Sequence, residues 1–146
     1  MKELPEFDLG HVVKRSQVDL PLYASPVEAG FPSPANDYLE TVLDLNEFLV
    51  QRPAATFLVR VQGDSMKDAG ILNGSILVVD SSIEPQNGMI VLAIVDNEFT
   101  VKRLVKVRKT WTLQPENPGY SAIKVTKDTE IRGVITASIQ KFGSSF

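Results

Sequence analysis

Cysteine is absent from this chain of 146 residues, and histidine occurs once, at His11. Without cysteine there is no disulfide, no thiolate nucleophile and no Cys-containing metal site. His11 stands far upstream in a stretch without clear periodicity. A Ser-His-Asp arrangement is therefore disfavoured, and no cofactor or metal is expected. Long apolar runs are also missing. Nothing approaches the roughly 20 residues that cross a membrane as a helix. Met1 to Gly10 is acidic and has no apolar core of a secretory leader. The cytoplasm, with no membrane contact, is the simplest location. Positive charge is in short supply too: the net charge is −3 and the pI about 5.2. Little direct nucleic-acid binding is expected, because phosphate contacts need a basic surface. Lys102, Arg103, Lys106, Arg108 and Lys109 form one local exception, read here as a solvated hairpin rim.

What is present is an ordinary globular composition, 43% hydrophobic and 23% charged, at a length that suits one core. The prolines are unevenly spread. Five of nine (Pro5, Pro21, Pro26, Pro32 and Pro34) fall in residues 1–39, which read as an extended N-terminal arm. Such an arm is either a loose terminus or a substrate segment. Residues 40–146 read as the folded domain. Asp44 to Gln51 has the pattern of a short helix, with Asp44 as cap, Glu47 three residues on, and Arg52-Pro53 ending it. Strands follow at Phe57–Gln62, Ser75–Asp80, Gly88–Val95, Phe99–Val107, Trp111–Leu113, Ala122–Val125 and Glu130–Phe142. Asp96-Asn97 joins two of them as a tight hairpin. The expected fold is mainly β, a sandwich or partly closed barrel of short strands with one short helix.

One stretch organises the rest. Phe57, Val59 and Val61 alternate with Leu58, Arg60 and Gln62, and Gly63-Asp64 then breaks the strand. Ser65 thus stands on a turn at a strand end. A serine hydroxyl is a weak nucleophile without a base beside it. With histidine discounted, a lysine remains, provided desolvation keeps it neutral. Lys102 is the candidate. Its strand presents Phe99, Val101, Val105 and Val107 as the apolar face, with Thr100, Lys102 and Leu104 opposite. That pattern alone does not bury Lys102.

The segments Gly63-Asp64-Ser65-Met66, Lys67-Asp68-Ala69-Gly70-Ile71 and Thr100-Val101-Lys102-Arg103-Leu104 resemble the LexA/UmuD family of self-cleaving Ser-Lys peptidases. The 37-residue separation of Ser65 from Lys102 is similar as well. Ala29-Gly30-Phe31-Pro32-Ser33-Pro34-Ala35, Asp44-Leu45-Asn46 and Pro53-Ala54-Ala55-Thr56 resemble the UmuD branch, and the likeness runs from about Leu22 onward. The resemblance implies Ser65 as nucleophile, Lys102 as base, and Ala29-Gly30 as the scissile bond. It implies stimulation by a RecA filament on single-stranded DNA during the SOS response, and a homodimer. It further implies a processed subunit that joins a Y-family, UmuC-like polymerase for translesion synthesis. The residues around the bond suit such a role: Ala29 and Gly30 are small, Val27 is an apolar anchor, and the flanking prolines oppose helix.

Rival readings are a LexA- or phage-type repressor, a signal peptidase, a Gly-Asp-Ser esterase and a non-catalytic binding module. The repressor needs a helix-turn-helix domain ahead of its cut, and only 29 residues precede Gly30. The signal peptidase needs a membrane anchor, and the esterase a histidine after the serine. Against the binding module stands the intact set of Ser65, Lys102, Ala29 and Gly30.

Overall fold

A computed structural model describes residues 17–23, 29–30 and 39–143. His11, Pro26, Val27, Pro32, Pro34 and the tail 144–146 lie outside the described residues. The chain divides into two compact units between Phe48 and Leu49.

In the first unit, β1 (Leu20–Tyr23) pairs antiparallel with β2 (Leu39–Leu43), Leu20 opposite Leu43. A two-stranded ribbon has a free side on each strand, so Pro21 is tolerated although it has no N–H to donate. The sequence pattern did not mark residues 39–43 as a strand. Helix α1 (Leu45–Leu49) follows, shorter than the expected Asp44–Gln51. Asp44 starts it as expected: its Oδ1 accepts the Asn46 N–H at 3.0 Å, and its carbonyl accepts that of Phe48 at 2.9 Å.

The second unit is built on one antiparallel sheet. Its strands are β3 (Thr56–Arg60), β4 (Ile76–Asp80), β5 (Ile90–Val95), β6 (Glu98–Val107), β7 (Thr110–Gln114), β8 (Ile123–Lys124) and β9 (Glu130–Ile139). Their order is β3-β4-β9-β5-β6-β7-β8. All seven expected strands form, with the last ending three residues early. The sheet does not close into a barrel: among the described residues β3 and β8 remain its edges. The β5–β6 hairpin turns on Asp96 and Asn97, both with positive φ (51° and 64°), as a tight hairpin with right-handed twist demands.

The last strand in sequence, β9, sits in the middle of the sheet between β4 and β5. It is irregular on both sides, with register shifts at Val78/Val79 and at Leu92/Ala93. Gly133 makes the approach possible. A Cβ there would lie 2.6 Å from Val79 Cγ1 and 3.2 Å from the Asp80 carbonyl oxygen.

Two apolar clusters hold the unit. Val91, Ala93, Leu104, Leu113 and Val134 form one, with Trp111 and Ile123 packed against it; Met66, Ile71 and Leu77 form the other, with Val59, Val61, Val101 and Ile135 around them. Each buried Val, Leu, Ile or Met side chain of the two clusters contributes about 1.5–3 kcal/mol. The pattern of β6 left the burial of Lys102 open. Lys102 and Leu104 are the buried residues, at 7% and 5% exposure, while Phe99 and Val107 are 40% and 55% exposed. Alternation fixes which residues share a face, but neighbouring strands decide which face is covered. Leu104 lies opposite Leu113 and Lys102 opposite Val91, so this face meets the Val91 cluster, while Val101 on the other face packs against the Met66 cluster. No helix among the described residues is long and apolar enough to cross a membrane.

Candidate active site

The chain leaves β3 at Arg60 but stays tied to the residues that lead into β4. The Val61 N–H donates to the Ser75 carbonyl at 2.9 Å, and the Gly74 N–H to the Val61 carbonyl at 2.8 Å. Gly63 then turns the backbone at φ +97°, a region costly for residues with a Cβ, and its N–H donates to Asn73 Oδ1 at 2.8 Å. Met66 is 2% exposed and is planted in the Leu77 cluster. A 3-10 turn over Lys67–Ala69 ends at Gly70 in the left-handed region. Ser65 is held between a glycine turn and a buried methionine, half-buried, on backbone with little freedom.

Lys102 reaches this turn from the middle of β6. Its Nζ stands 3.0 Å from Ser65 Oγ, donates to Thr100 Oγ1 at 2.8 Å and to the Val101 carbonyl at 3.1 Å. Burial pushes its pKa below the ordinary 10.5, because the ammonium loses hydration. Among the described residues no carboxylate pairs with it to oppose that shift. An ammonium donates to all three oxygens. A neutral amine donates to Thr100 and Val101 and turns its lone pair to the Ser65 O–H. The site therefore accommodates lysine in the form that accepts a proton.

The loop after β7 holds the turn from the other side. The Glu116 N–H donates to the Ser65 carbonyl at 2.8 Å, and the Asp68 N–H to the Glu116 carbonyl at 2.9 Å. Asn117 Nδ2 donates to the Asp64 carbonyl at 2.9 Å, and the Tyr120 hydroxyl to Asp64 Oδ1 at 2.7 Å. That last bond raises the Tyr120 pKa, since a phenolate could not donate it. Glu116 is also ion-paired with Arg103, the residue after Lys102. Sequence reading missed Thr100, Asn117 and Tyr120. Pro115-Glu116-Asn117-Pro118-Gly119 signalled a loop but not its destination.

The structure thus brings Ser65 and Lys102 together. Ala29 and Gly30 lie in the other unit, in an exposed bend, with nothing within 4 Å of a Cβ placed on Gly30. The five-residue basic run divides by environment. Lys102 is buried, Arg103 is paired, Lys106 lies over the Trp111 ring at 5.3 Å, and Arg108 and Lys109 are exposed at the β6–β7 turn.

The profile of the Peptidase S24-like family matches residues 21–136. The chain is 47% identical over 129 residues to Protein SamA of Salmonella typhimurium, covering 88% of this chain and 91% of that one. It is 43% identical over 123 residues to Protein MucA of Escherichia coli, covering 82% and 84%. Against the LexA repressor of Psychromonas ingrahamii it is 37% identical over 133 residues, covering 89% of this chain and 63% of the repressor.

Proposed function

The chain belongs to the Peptidase S24-like family, and from that premise we propose that it is a serine peptidase that cuts its own N-terminal arm with Ser65 and Lys102. One observation carries the reading: Lys102 Nζ lies 3.0 Å from Ser65 Oγ with the lysine 7% exposed. Neutral Lys102 takes the Ser65 proton as Oγ attacks the Ala29 carbonyl carbon. The oxyanion is held by backbone N–H groups of Ser65 and Met66, which make no hydrogen bond to any described residue. When the Ala29–Gly30 bond breaks, the Lys102 ammonium returns the proton to the Gly30 nitrogen. An ester between Ser65 and Ala29 remains, and water, deprotonated by Lys102, releases it.

In this reading residues 1–39 are the substrate arm and residues 40–146 the catalytic domain. Likeness to the LexA/UmuD family supports the wider role. Cleavage is stimulated by a RecA filament on single-stranded DNA, in the cytoplasm, as part of the SOS response. The processed homodimer then joins a Y-family polymerase subunit for translesion synthesis.

The test is incubation of the purified chain with RecA filaments, followed by N-terminal sequencing of the large fragment. A cut after residue 29 of 146 leaves 117 residues beginning Gly30-Phe31-Pro32. Another start refutes the bond; no cut, or an unchanged cut in Ser65→Ala, refutes the mechanism.

A further inference from the structure

We propose that Asn117 and Tyr120 are positioning residues that hold the Ser65 turn in its reactive geometry; the inference rests on the Ser-Lys reading above. The turn's local hydrogen bonds hold Val61 and Gly63 on its entry side but leave the Asp64 side chain without a local partner among the described residues. Gly63, Asp64 and Ser65 lie beyond the last residue of β3; Gly63, at φ +97°, is tied by its N–H to Asn73, the Asp64 carbonyl accepts the Lys67 N–H at a long 3.2 Å, and the next residue, Met66, is anchored by burial. Further restraint at Asp64 comes from a loop more than fifty residues later in sequence. Asn117 Nδ2 donates to the Asp64 carbonyl at 2.9 Å, and Tyr120 Oη to the Asp64 carboxylate at 2.7 Å. Both bonds fall on the residue directly before the nucleophile, one on its backbone and one on its side chain.

The loop is built to present these donors. Asn117 Oδ1 accepts the Gly119 N–H at 3.0 Å, and the Asn117 carbonyl accepts the Tyr120 N–H at 3.1 Å. The amide is thereby oriented with its NH2 toward Asp64. An aspartate at 117 would keep the bond to Gly119 but lose the donor and set a negative charge against a carbonyl oxygen. Glu116 completes the frame, its N–H on the Ser65 carbonyl and its carboxylate on Arg103. The nucleophile's turn and the strand of the base are thus fastened to the same short loop. Displacing an attacking atom by about 1 Å costs on the order of a hundredfold in rate, so restraint at Asp64 bears directly on cleavage.

The experiment measures unassisted self-cleavage of the full chain across alkaline pH in the wild type, Ser65→Ala, Asn117→Asp, Asn117→Ala and Tyr120→Phe, with the melting temperature of each. The expected result is a fall in the plateau rate of about tenfold or more in both Asn117 variants. Tyr120→Phe falls less. In each the inflection of the pH profile stays where the wild type has it, and the fold remains intact at the assay temperature. That combination separates placement of Ser65 from burial of Lys102. An inflection that moves up toward ordinary lysine shows a loosened, wetter site and overturns the proposal. So does a rate loss that merely follows the unfolded fraction, or wild-type rates in all three variants. A wild type that fails to cut itself overturns the Ser-Lys reading as well. A wild type that cuts, beside Asn117 variants that cut equally, overturns only this inference.

Discussion

Unassisted cleavage should accelerate with pH through Lys102 alone. The base must be neutral to accept the Ser65 proton, and an ordinary lysine, at 10.5, is almost wholly charged near pH 7. The rate should therefore climb about tenfold per pH unit while Lys102 remains mostly protonated. Burial lowers its pKa, with no paired carboxylate among the described residues to counter it, so the climb should level off below 10.5. Lys102→Ala removes the base and should cost about 10²–10⁴-fold at the plateau. Lys102→Arg should be no better, since guanidinium stays charged throughout. The assay is densitometry of full-length chain and fragment between about pH 7 and 10.5, without RecA, with circular dichroism to confirm folding. A flat wild-type profile, or an equal rise in Lys102→Ala, would refute Lys102 as the base. A plateau only at or above 10.5 would refute its desolvation. The same burial leaves a mark on stability. The unfolded chain holds this proton more tightly than the folded one, so Lys102's contribution to stability rises with pH from its folded value up to 10.5. Lys102→Met should remove that part of the slope in urea titrations.

Ser65→Ala should abolish cleavage by mass spectrometry yet shift stability by no more than about 1 kcal/mol, because the half-buried hydroxyl is not part of either core cluster. Leu77→Ala, at a side chain with 0% exposure, should cost about 2–5 kcal/mol in chemical denaturation. A loss below 1 kcal/mol would contradict the packing described. Gly133→Ala should cost about 1–3 kcal/mol, since the added methyl meets Val79 at 2.6 Å and backbone at 3.2 Å. Asp80 is held below its ordinary 3.8 first by the Ser82 hydroxyl, then by the Ser82 N–H and Arg52, against the opposing effect of burial. Its stabilisation is present above 3.8 and is lost as pH falls through the lower folded value. The stability gap between wild type and Asp80→Asn should accordingly shrink in acid, and a gap that widens there would refute the assignment.

Local chemistry in the chain determined a good deal. Alternation at Phe57–Gln62 and Phe99–Val107, apolar runs at Ser75–Asp80 and Gly88–Val95, and the turn signals between short segments marked all seven strands of the large sheet, because these patterns are properties of each segment by itself. Asp96-Asn97 and Gly63-Asp64 announced their turns, because backbone angles at these residues depend on their own side chains. The absence of cysteine and the lone His11 left Ser65 and Lys102 as the candidate pair, and family likeness tied them together. Tertiary structure decided the rest. Whether Lys102 is buried depends on neighbouring strands, where Val91 lies opposite it, so the alternation of its own strand left the question open. In the centre of the sheet β9 passes close to β4, where Gly133 leaves room for Val79, a residue 54 positions earlier in sequence. The donors on Asp64 come from Asn117 and Tyr120, separated from it by 53 and 56 residues, and a hydrogen bond across that distance leaves no periodic trace. Spacing alone names a serine and a lysine; only the folded sheet and its loop put 3.0 Å between them.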